Sequence, residues 1–402
     1  MKKGWQTKTL GEVCDVMNGG TPKTGVPEYW DGNHRWITPA EMGKRLSPYV
    51  SDTERKITDL GLRDSSARML PPNSVILSSR APIGHLVINT EPMGTNQGCK
   101  GLIPRSQIEH KFLYYYLSSI VDLLNSLGTG ATFKELSGGK LKEVAVPVPP
   151  LAEQQRIVSL LDEAFEGLAT AKANAEKNLQ NARALFESHL QSVFTQRGKS
   201  VRAGWHKTKL AELADVQSGA GFPTKFQGKV KGGIPFYKVS DMNLEGNERN
   251  MVHENNSITE EVRKKLGASL FPQGSVIFPK IGGAIATNKK RLTTRDCCVD
   301  NNVMGAIPKP GRMSSEFLYY FFLAYNLSDF ANEAHLPSIK KTVVEDWELC
   351  VPKTIPEQER IVEQLDSFTE ETQRLARLYE RKHAALEALK KSLLHQAFSG
   401  GL

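Results

Sequence analysis

The sequence predicts an α+β fold in which two mixed α/β domains, related by a pseudo-twofold axis, are joined by two long helices that form an antiparallel coiled coil. Three observations predict it. The chain of 402 residues repeats itself at an interval of about 204 residues, each half contains a long stretch of helix-forming residues, and these stretches carry heptad patterns of apolar residues. A duplicated half, made of one globular part and one helix, accounts for all three.

The internal repeat is clearest at the start of each half. GWQTKTLGEVCDVMNGG at Gly4 matches GWHKTKLAELADVQSGA at Gly204, and KFLYYYL in the first half matches EFLYYFF in the second. Matched segments indicate a shared scaffold. Between them, residues 21–70 and 222–270 share little sequence. Such divergence is typical either of parts with different tasks or of loops that have drifted without consequence.

A motif at the end of each globular part also occurs twice. VPVPPLAEQQRIV at Val146 returns as VPKTIPEQERIV at Val351. Prolines just before a helix and a glutamate in its first turn favour a helix start. Residues 153–194 contain no proline, so at about 1.5 Å per residue they predict a helix roughly 60 Å long. The motif therefore predicts the junction between a globular part and a helix.

These patterns divide the chain into four segments. Globular domains are predicted over residues 1–150 and 197–355, a central spacer helix over 151–196 and a C-terminal spacer helix over 356–402. Two amphipathic helices in one chain pair most simply with each other, and the alternative is that each packs on its own globular domain.

With antiparallel pairing, the second long helix would return the chain to the first globular domain, which would place Met1 near Leu402. The heptad rows indicate which side chains form the seam between the helices. The residues predicted in this seam are Ile157, Leu161, Leu168, Phe186, Ile361, Leu365, Phe368, Leu375, Leu386, Leu389 and Leu393.

Net positive charge is confined to the globular segments. The chain has a formal net charge of +8; residues 1–150 contribute +4 and residues 197–355 contribute +7, whereas the helical segments contribute −2 and −1. Cationic globular surfaces suit a polyanion, most simply nucleic acid.

Several classes of protein are disfavoured. No apolar run reaches the length of a membrane span, and the basic start MKKGWQTKTL lacks the apolar region of a secretory signal. Five cysteines without C-x-x-C spacing indicate apolar fillers in a reducing, cytoplasmic compartment, with no zinc site. Neither a P-loop, a catalytic serine motif nor an Asn-Pro-Pro-Tyr-like methylation motif is present. We therefore expect the chain to bind rather than to catalyse.

The order of globular domain, helix, globular domain and helix resembles the specificity subunits of type I restriction–modification systems. The two copies of the junction motif carry the resemblance, with GATFKEL at Gly130 and the C-terminal LLHQAFSGGL. The resemblance covers the whole chain. The second copy of the motif departs by having Lys-Thr at 353–354 where the first has Val-Pro.

The resemblance implies two target-recognition domains, each reading one half of a bipartite DNA sequence, and a helix pair that sets the gap. It implies two methyltransferase subunits as partners, and restriction (translocase–nuclease) subunits in the full complex. S-adenosylmethionine, ATP and Mg are then expected on those partners, and no cofactor or metal on this chain. The alternatives are an enzyme with an unrecognised site, a stand-alone DNA-binding protein and a non-catalytic coiled-coil scaffold.

Contacts to DNA are expected from basic, hydroxyl and amide side chains of the globular segments, because phosphates attract cations and base edges need donors and acceptors. The expected contacts are Thr21, Lys23, Arg35, Lys44, Arg45, Arg80, Lys100, Lys134, Lys225, Lys238, Lys280, Asn288, Lys289, Lys290, Arg291, Lys340 and Lys341.

Three groups of residues carry a more specific expectation. The densest basic run, residues 288–291, is expected on a hairpin loop. Trp30, Trp36 and Tyr49 lie among the first basic residues and would flank a displaced base, although aromatic side chains are more often core. The matched tyrosines at 114–116 and 319–320 are expected to pack helices rather than to stack on bases.

Overall fold

The computed structural model describes residues 4–130, 134–194, 203–230 and 233–402. The chain forms two compact units, Met1–Glu176 with Glu380–Leu402, and Lys177–Tyr379. Each unit contains one globular head, the beginning of one long helix and the end of the other.

The first unit is built on mixed sheets. Its strands are β1 (Gln6–Thr9), β2 (Cys14–Asn18), β3 (Trp30–Ile37), β4 (Tyr49–Val50), β5 (Arg55–Ile57), β6 (Met69–Leu70), β7 (Val75–Ser79), β8 (Ile83–Asn89), β9 (Met93–Thr95), β10 (Cys99–Pro104) and β11 (Ala145–Val148). Its helices are α1 (Leu10–Val13), α2 (Pro39–Met42), α3 (Asp59–Arg63), α4 (His110–Ser119), α5 (Val121–Leu127), α6 (Gly138–Lys142) and the start of the long helix α7 (Leu151–Phe194).

The second unit repeats this plan. Its strands are β12 (Trp205–Lys209), β13 (Ala214–Ser218), β14 (Ile234–Tyr237), β15 (Asn250–Met251), β16 (Ser257–Ile258), β17 (Val276–Pro279), β18 (Arg291–Thr293), β19 (Cys298–Val299), β20 (Val303–Pro308) and β21 (Glu348–Pro352). Its helices are α8 (Leu210–Leu213), α9 (Glu260–Leu266), α10 (Ser315–Leu323), α11 (Lys341–Glu345) and the start of the long helix α12 (Ile355–Ser399).

The sheet orders show that the repeat extends beyond the matched sequence. The five-stranded sheet is ordered β2-β10-β7-β8-β4 in the first unit and β13-β20-β17-β18-β15 in the second. The outer strands β4 and β15 join in parallel and the other strands in these two sheets pair antiparallel. A second sheet, β5-β3-β9-β6 or β16-β14-β19, comes largely from the segments with little shared sequence. The mixed α/β class predicted from the sequence is confirmed.

Each head receives the final phenylalanine of the long helix that comes from the other half. Phe398, near the end of α12, packs edge-on against Phe112 with ring centroids 5.2 Å apart. Phe194, the last residue of α7, packs in the same way against Phe317 at 5.1 Å. Aromatic contacts of this geometry stabilise a core beyond the area that they bury. The ends of the long helices are thus parts of the head cores.

Within each unit the long helices run antiparallel. In the first unit Lys172 donates to Glu387 at 3.0 Å, and His383 lies 3.6 Å from Glu176. In the second unit the rings of Phe186 and Phe368 stack with centroids 6.2 Å apart. Residue numbers rise along one helix as they fall along the other, so the predicted antiparallel pairing is what the structure has.

The residues predicted in the seam differ in burial, and one of them is exposed. Leu389 is 47% exposed, because a straight helix drifts relative to an exact seven-residue repeat and the inward face moves to His383, Leu393 and Ala397. Buried seam residues are Ile157, Leu161, Ile361 and Leu365, and half-buried ones are Leu168, Phe186, Phe368, Leu375, Leu386 and Leu393.

Both ends of the described chain pack against the same core in the first unit. Trp5 and Leu402 both pack against the core that contains Phe112 and Leu394. Met1 lies outside the described residues, so the predicted proximity of Met1 to Leu402 stays a prediction. Among the described residues, no helix combines the length and the hydropathy that a membrane crossing requires.

Candidate nucleic-acid interface

A matched glycine brings two loops of each head together. A Cβ on Gly19 would lie 1.9 Å from the carbonyl oxygen of Asn96, and one on Gly219 would lie 2.0 Å from that of Asp300. Both distances are far below any van der Waals contact, so only glycine permits the crossing. The chain that leaves β2 or β13 is therefore held against the turn that precedes β10 or β20.

These turns have the same hydrogen bonds in both heads. Oδ1 of Asn96 accepts a bond from the Gly98 amide at 2.6 Å, and Oδ1 of Asp300 accepts one from the Asn302 amide at 3.1 Å. Short polar side chains of this kind stabilise tight turns. The turn carbonyls then accept from the strand end beside them, Gly98 from Ser79 at 2.7 Å and Asn302 from Lys280 at 2.8 Å.

A fourth segment completes the arrangement. The amide of Leu136 donates to Ser79 O, and the amide of Ile339 donates to Lys280 O, both at 2.9 Å. We call the four segments the loop platform: residues 19–21, 79–80, 96–98 and 134–136 in the first head, and residues 219–221, 280–281, 300–302 and 338–340 in the second. The two platforms share their backbone bonds, while their side chains differ.

The first platform carries hydroxyl, amide and cationic groups. Thr21 and Gln97 are hydrogen-bonded to each other through their side chains. The Arg80 guanidinium is partly exposed and lies 3.9 Å from the carboxylate of Glu135. Lys134 is exposed beside it. Hydroxyl, amide and guanidinium groups at one surface are the groups that read base edges and hold phosphates.

The second platform carries a different set. Nζ of Lys280 donates to Ser218 Oγ at 3.1 Å. Asn301 and Lys340 are exposed. Burial raises the pKa of Asp300, whose carboxylate also accepts from the Asn302 side chain at 3.3 Å. The two platforms thus share their backbone bonds and present different hydrogen-bonding groups.

Several cations predicted in the first head are engaged with nearby carboxylates. Arg35 lies 3.5 Å from Asp52, and Lys44 lies 3.2 Å from Glu54. Arg45 contacts the buried carboxylate of Glu41 at 2.5 Å. Lys23 is exposed and takes part in no ion pair within the described chain. Lys23 and Lys134 are thus exposed cations without an ion pair in the described chain, whereas Arg80, like Arg35, Lys44 and Arg45, lies near a carboxylate.

Lys100 and Lys290 lie in the interior. Lys100 is only 6% exposed, with its Nζ 4.0 Å from the carboxylate of Glu135. Lys290 is 1% exposed and donates to Asn288 Oδ1 at 2.6 Å and to the carbonyl of Tyr325 at 2.7 Å. Burial lowers the pKa of Lys290 to about 7. Their burial therefore argues against the predicted contact of Lys100 and Lys290 with DNA.

Residues 288–290 do lie in the connection between the antiparallel strands β17 and β18, as the sequence predicts, but the run at 288–291 is not exposed. It follows a 3-10 helix over Gly282–Thr287 and leads into β18. Asn288 has the left-handed φ of 53°, and Lys289 is hydrogen-bonded to the side chain of Asn243. Arg291 donates to the carbonyls of Lys290 at 2.8 Å and Met242 at 3.0 Å. This basic run thus ties elements of the second head together.

The remaining predicted cations of the second head lie nearer to solvent. Lys225 is exposed beside the ring of Phe226 at 5.2 Å. Lys238 is half-buried and donates to Gln227 at 2.9 Å. Lys341 is exposed and pairs with Glu345 one helical turn later at 3.4 Å.

Aromatic residues of the heads are structural. Trp30 and Trp36 are buried edge to face with centroids 5.2 Å apart, and the Arg55 guanidinium lies 3.8 Å from the Trp30 ring centre. Tyr49 is half-buried against the core of the first head. Tyr115 and Tyr320 are buried and bond to the long helices, so the expectation that the tyrosines pack helices agrees with their positions.

Sequence reasoning did not single out Gln97, Asn301 or Glu135. A signal for the two turns was present, because TNQG at Thr95 and VDNN at Val299 occur at the same place in the repeat and carry residues that favour turns. For Glu135 no local signal exists, since its role depends on the proximity of Arg80 and Lys100.

Both halves of the chain match one protein family. The model of the type I restriction modification DNA specificity domain matches twice, over residues 2–179 and 202–380. The type I restriction enzyme MjaIX specificity subunit of Methanocaldococcus jannaschii is 28% identical over 366 residues, which is 87% of this chain and 83% of that protein. The EcoR124I/EcoR124II specificity subunit of Escherichia coli is 35% identical over 162 residues, 39% of each chain.

Two solved structures share the fold. A chain from a study of complex assembly and conformational transition of the type I R-M system superposes with a TM-score of 0.81 at 19% identity, covering 100% of this chain and 99% of that one. The HsdS subunit of Thermoanaerobacter tengcongensis gives a TM-score of 0.64 at 20% identity, covering 100% and 98%. The two-headed architecture with two long helices is therefore an established fold.

Proposed function

Since the chain belongs to the type I restriction modification DNA specificity family, we propose that its two loop platforms are the surfaces that read the two halves of its bipartite DNA target. The observation that carries the proposal is the pair of platforms: their backbone bonds coincide, and their exposed side chains do not. A shared frame gives both heads the same approach to a groove, and the different donors give each head its own sequence.

We propose two roles for the side chains on and near each platform. Gln97 and Asn301 lie on the turns, and Arg80 and Lys280 lie at the strand ends beside them, so we place these four side chains at base edges. The exposed Lys23, Lys134, Lys225 and Lys340 then hold phosphates, which would position the heads without selecting a sequence.

The helix pair supplies a spacer in this proposal. α7 has 44 residues and α12 has 45, so at about 1.5 Å per residue each is roughly 66 Å long, nearly two turns of B-DNA. Helices of this length would suit two half-sites separated by a constant gap.

In this proposal the catalytic steps are carried out by partner subunits. We propose that the chain itself is non-catalytic and acts in the cytoplasm with two methyltransferase subunits, and with restriction subunits in the full complex. S-adenosylmethionine, ATP and Mg would be bound by those subunits. Within the described residues, no cluster of histidine, cysteine or carboxylate side chains could hold a metal ion.

The genome-wide motif of adenine methylation tests the proposal. In cells that carry the chain with its methyltransferase subunits, we expect a bipartite motif with a constant gap. Exchange of residues 1–150 for those of a relative should change one half of the motif, and the matched exchange of residues 197–355 should change the other. A change of both halves by either exchange would refute independent heads.

A further inference from the structure

A buried glutamine stands at the start of the first long helix. Gln154 is 0% exposed. Its Oε1 accepts a hydrogen bond from the amide of Glu109 at 2.9 Å, and its Nε2 donates to the carbonyls of Gln107 at 3.0 Å and Pro149 at 2.8 Å. Glu109 is the residue whose side chain caps α4. The long helix is thus bonded to the loop that begins the main helix of the head.

The second copy of the motif makes the same connection. Gln358 is 1% exposed. Its Oε1 accepts from the amide of Ser314 at 2.9 Å, and its Nε2 donates to the carbonyl of Arg312 at 3.0 Å. Ser314 caps α10 as Glu109 caps α4. The bonded head residues differ between the halves, so the repeated feature is the amide side chain and the backbone groups that it meets.

Only an amide of this length satisfies these groups. The site presents one N–H donor and one or two carbonyl acceptors, and a glutamine side chain supplies one acceptor oxygen and two N–H donors. A carboxylate would face carbonyl oxygens, and an apolar side chain would leave buried backbone groups unpaired. The chemistry of the site explains why Glu-Gln occurs in both copies of the motif.

A second bond lies farther along each helix. Asp162 accepts from the Tyr115 hydroxyl, and Asp366 from the Tyr320 hydroxyl, both at 2.5 Å. In each half the carboxylate follows the glutamine by eight residues, about 12 Å along the helix axis. One bond would allow α4 or α10 to pivot on the long helix. Two bonds at different positions along the long helix fix the angle between that helix and α4 or α10.

We infer that Gln154 and Gln358 are positioning residues that fix the angle of each head on its helix, and that this angle determines how strictly the complex selects the gap between the half-sites. The inference rests on the proposed function. It separates two properties: side chains of the platform select the sequence, whereas the glutamines select the spacing.

The test uses the chain in its complex with the methyltransferase subunits. Binding is measured to duplexes that carry the recognised sequence with its natural gap, with one base pair more and with one fewer. For Gln154→Leu we expect the preference for the natural gap to fall on the order of tenfold, with the preference for the first half-sequence changed less than about twofold. The matched control is Gln155→Leu, an exposed neighbour on the same turn, which should leave both preferences unchanged.

Two further variants keep the test decisive if Gln154→Leu folds poorly. Gln154→Asn keeps the amide but is one methylene shorter, so it should relax the gap preference in the same direction. Gln358→Leu should do so from the other head, with Gln364→Leu as its exposed control. Loss of first-half sequence preference together with gap preference would mean that Gln154 only holds the head folded, and it would overturn the inference.

The two proposals fail in different ways. If the wild-type complex shows no gap preference, the proposed function fails. If the wild type selects its gap and Gln154→Leu selects it equally well, only the positioning role is refuted.

Discussion

The hydroxyl of Tyr115 lies 2.5 Å from a carboxylate oxygen of Asp162 and bonds the first head to its long helix. Burial raises the pKa of Tyr115, and its bond to Asp162 raises it further, so the hydroxyl stays a donor. The cation on the same carboxylate comes from α4, because Lys111 contacts Asp162 at 2.7 Å. In the second unit that place is taken by Arg249, 2.6 Å from Asp366. The tyrosine–aspartate hydrogen bond is thus the same at both junctions between head and helix, whereas the cation that contacts the aspartate differs.

Removal of the Tyr115 hydroxyl tests this junction. Tyr115→Phe should lower the free energy of unfolding by about 1–2 kcal/mol, because a partly buried carboxylate loses a donor. Tyr29→Phe is the control, since the Tyr29 hydroxyl has no hydrogen bond within the described chain and its loss should cost less than about 0.5 kcal/mol. Urea unfolding of both variants measures the difference, and equal losses would argue against a bond that matters.

Lys290 predicts a dependence of stability on pH. Its pKa in the folded chain is about 7, below the ordinary 10.5, so between these values the unfolded chain binds one proton more than the folded chain. Stability should therefore rise with pH above about 7, by at most about 1.4 kcal/mol per pH unit, and this contribution should be constant below that value. Unfolding of Lys290→Met should lack this gain, whereas unfolding of Lys289→Met should keep it. Parallel pH profiles for Lys290→Met and the wild type would contradict the assignment.

Arg80 and Lys280 predict separate effects on the two half-sites. Arg80→Ala should reduce discrimination at one or two positions of the first half by about 1–3 kcal/mol, and Lys280→Ala should do the same in the second half. Lys177→Ala, an exposed cation of α7, is the control and should change neither. Competition between duplexes with single base changes measures the effect. Uniform weakening for all sequences would show that these side chains hold phosphates instead.

The packing of Phe194 against Phe317 predicts that the end of the first long helix stabilises the second head. Phe194→Ala should cost about 3–5 kcal/mol, because it removes an aromatic side chain from a packed core. Hydrogen exchange should lose protection in α10 and retain it in α4. Leu185→Ala changes a side chain that is 60% exposed on the same helix and serves as the control. Loss of protection in α4 instead would contradict the packing.

The sequence was sufficient for the repeat, the mixed α/β class and the antiparallel helices, because heptads and matched segments report directly on buried faces. It was insufficient where a small rotation along a helix, or a residue distant in sequence, determines whether a side chain is buried. Leu389 falls in a strict heptad row but outside the buried stripe, since a helix turns every 3.6 residues rather than every 3.5.

Local charge was the least informative signal. A run of cations suggested a surface loop at 288–291, yet the carbonyl of Tyr325 lies close enough to accept a bond from Lys290 in the interior. The partner is 35 residues away in sequence, so no local pattern reveals it. The loop platform was hidden for the same reason, because its four segments are brought together only by the fold.

Deletion of seven residues from each long helix tests the central claim most directly. Residues 170–176 and 383–389 face each other, as the pair of Lys172 with Glu387 shows, and their joint removal shortens both helices by about 10 Å, equivalent to about three base pairs. The account predicts a methylation motif with both half-sequences unchanged and a gap shorter by about three base pairs. An unaltered gap, or altered half-sequences, would contradict it.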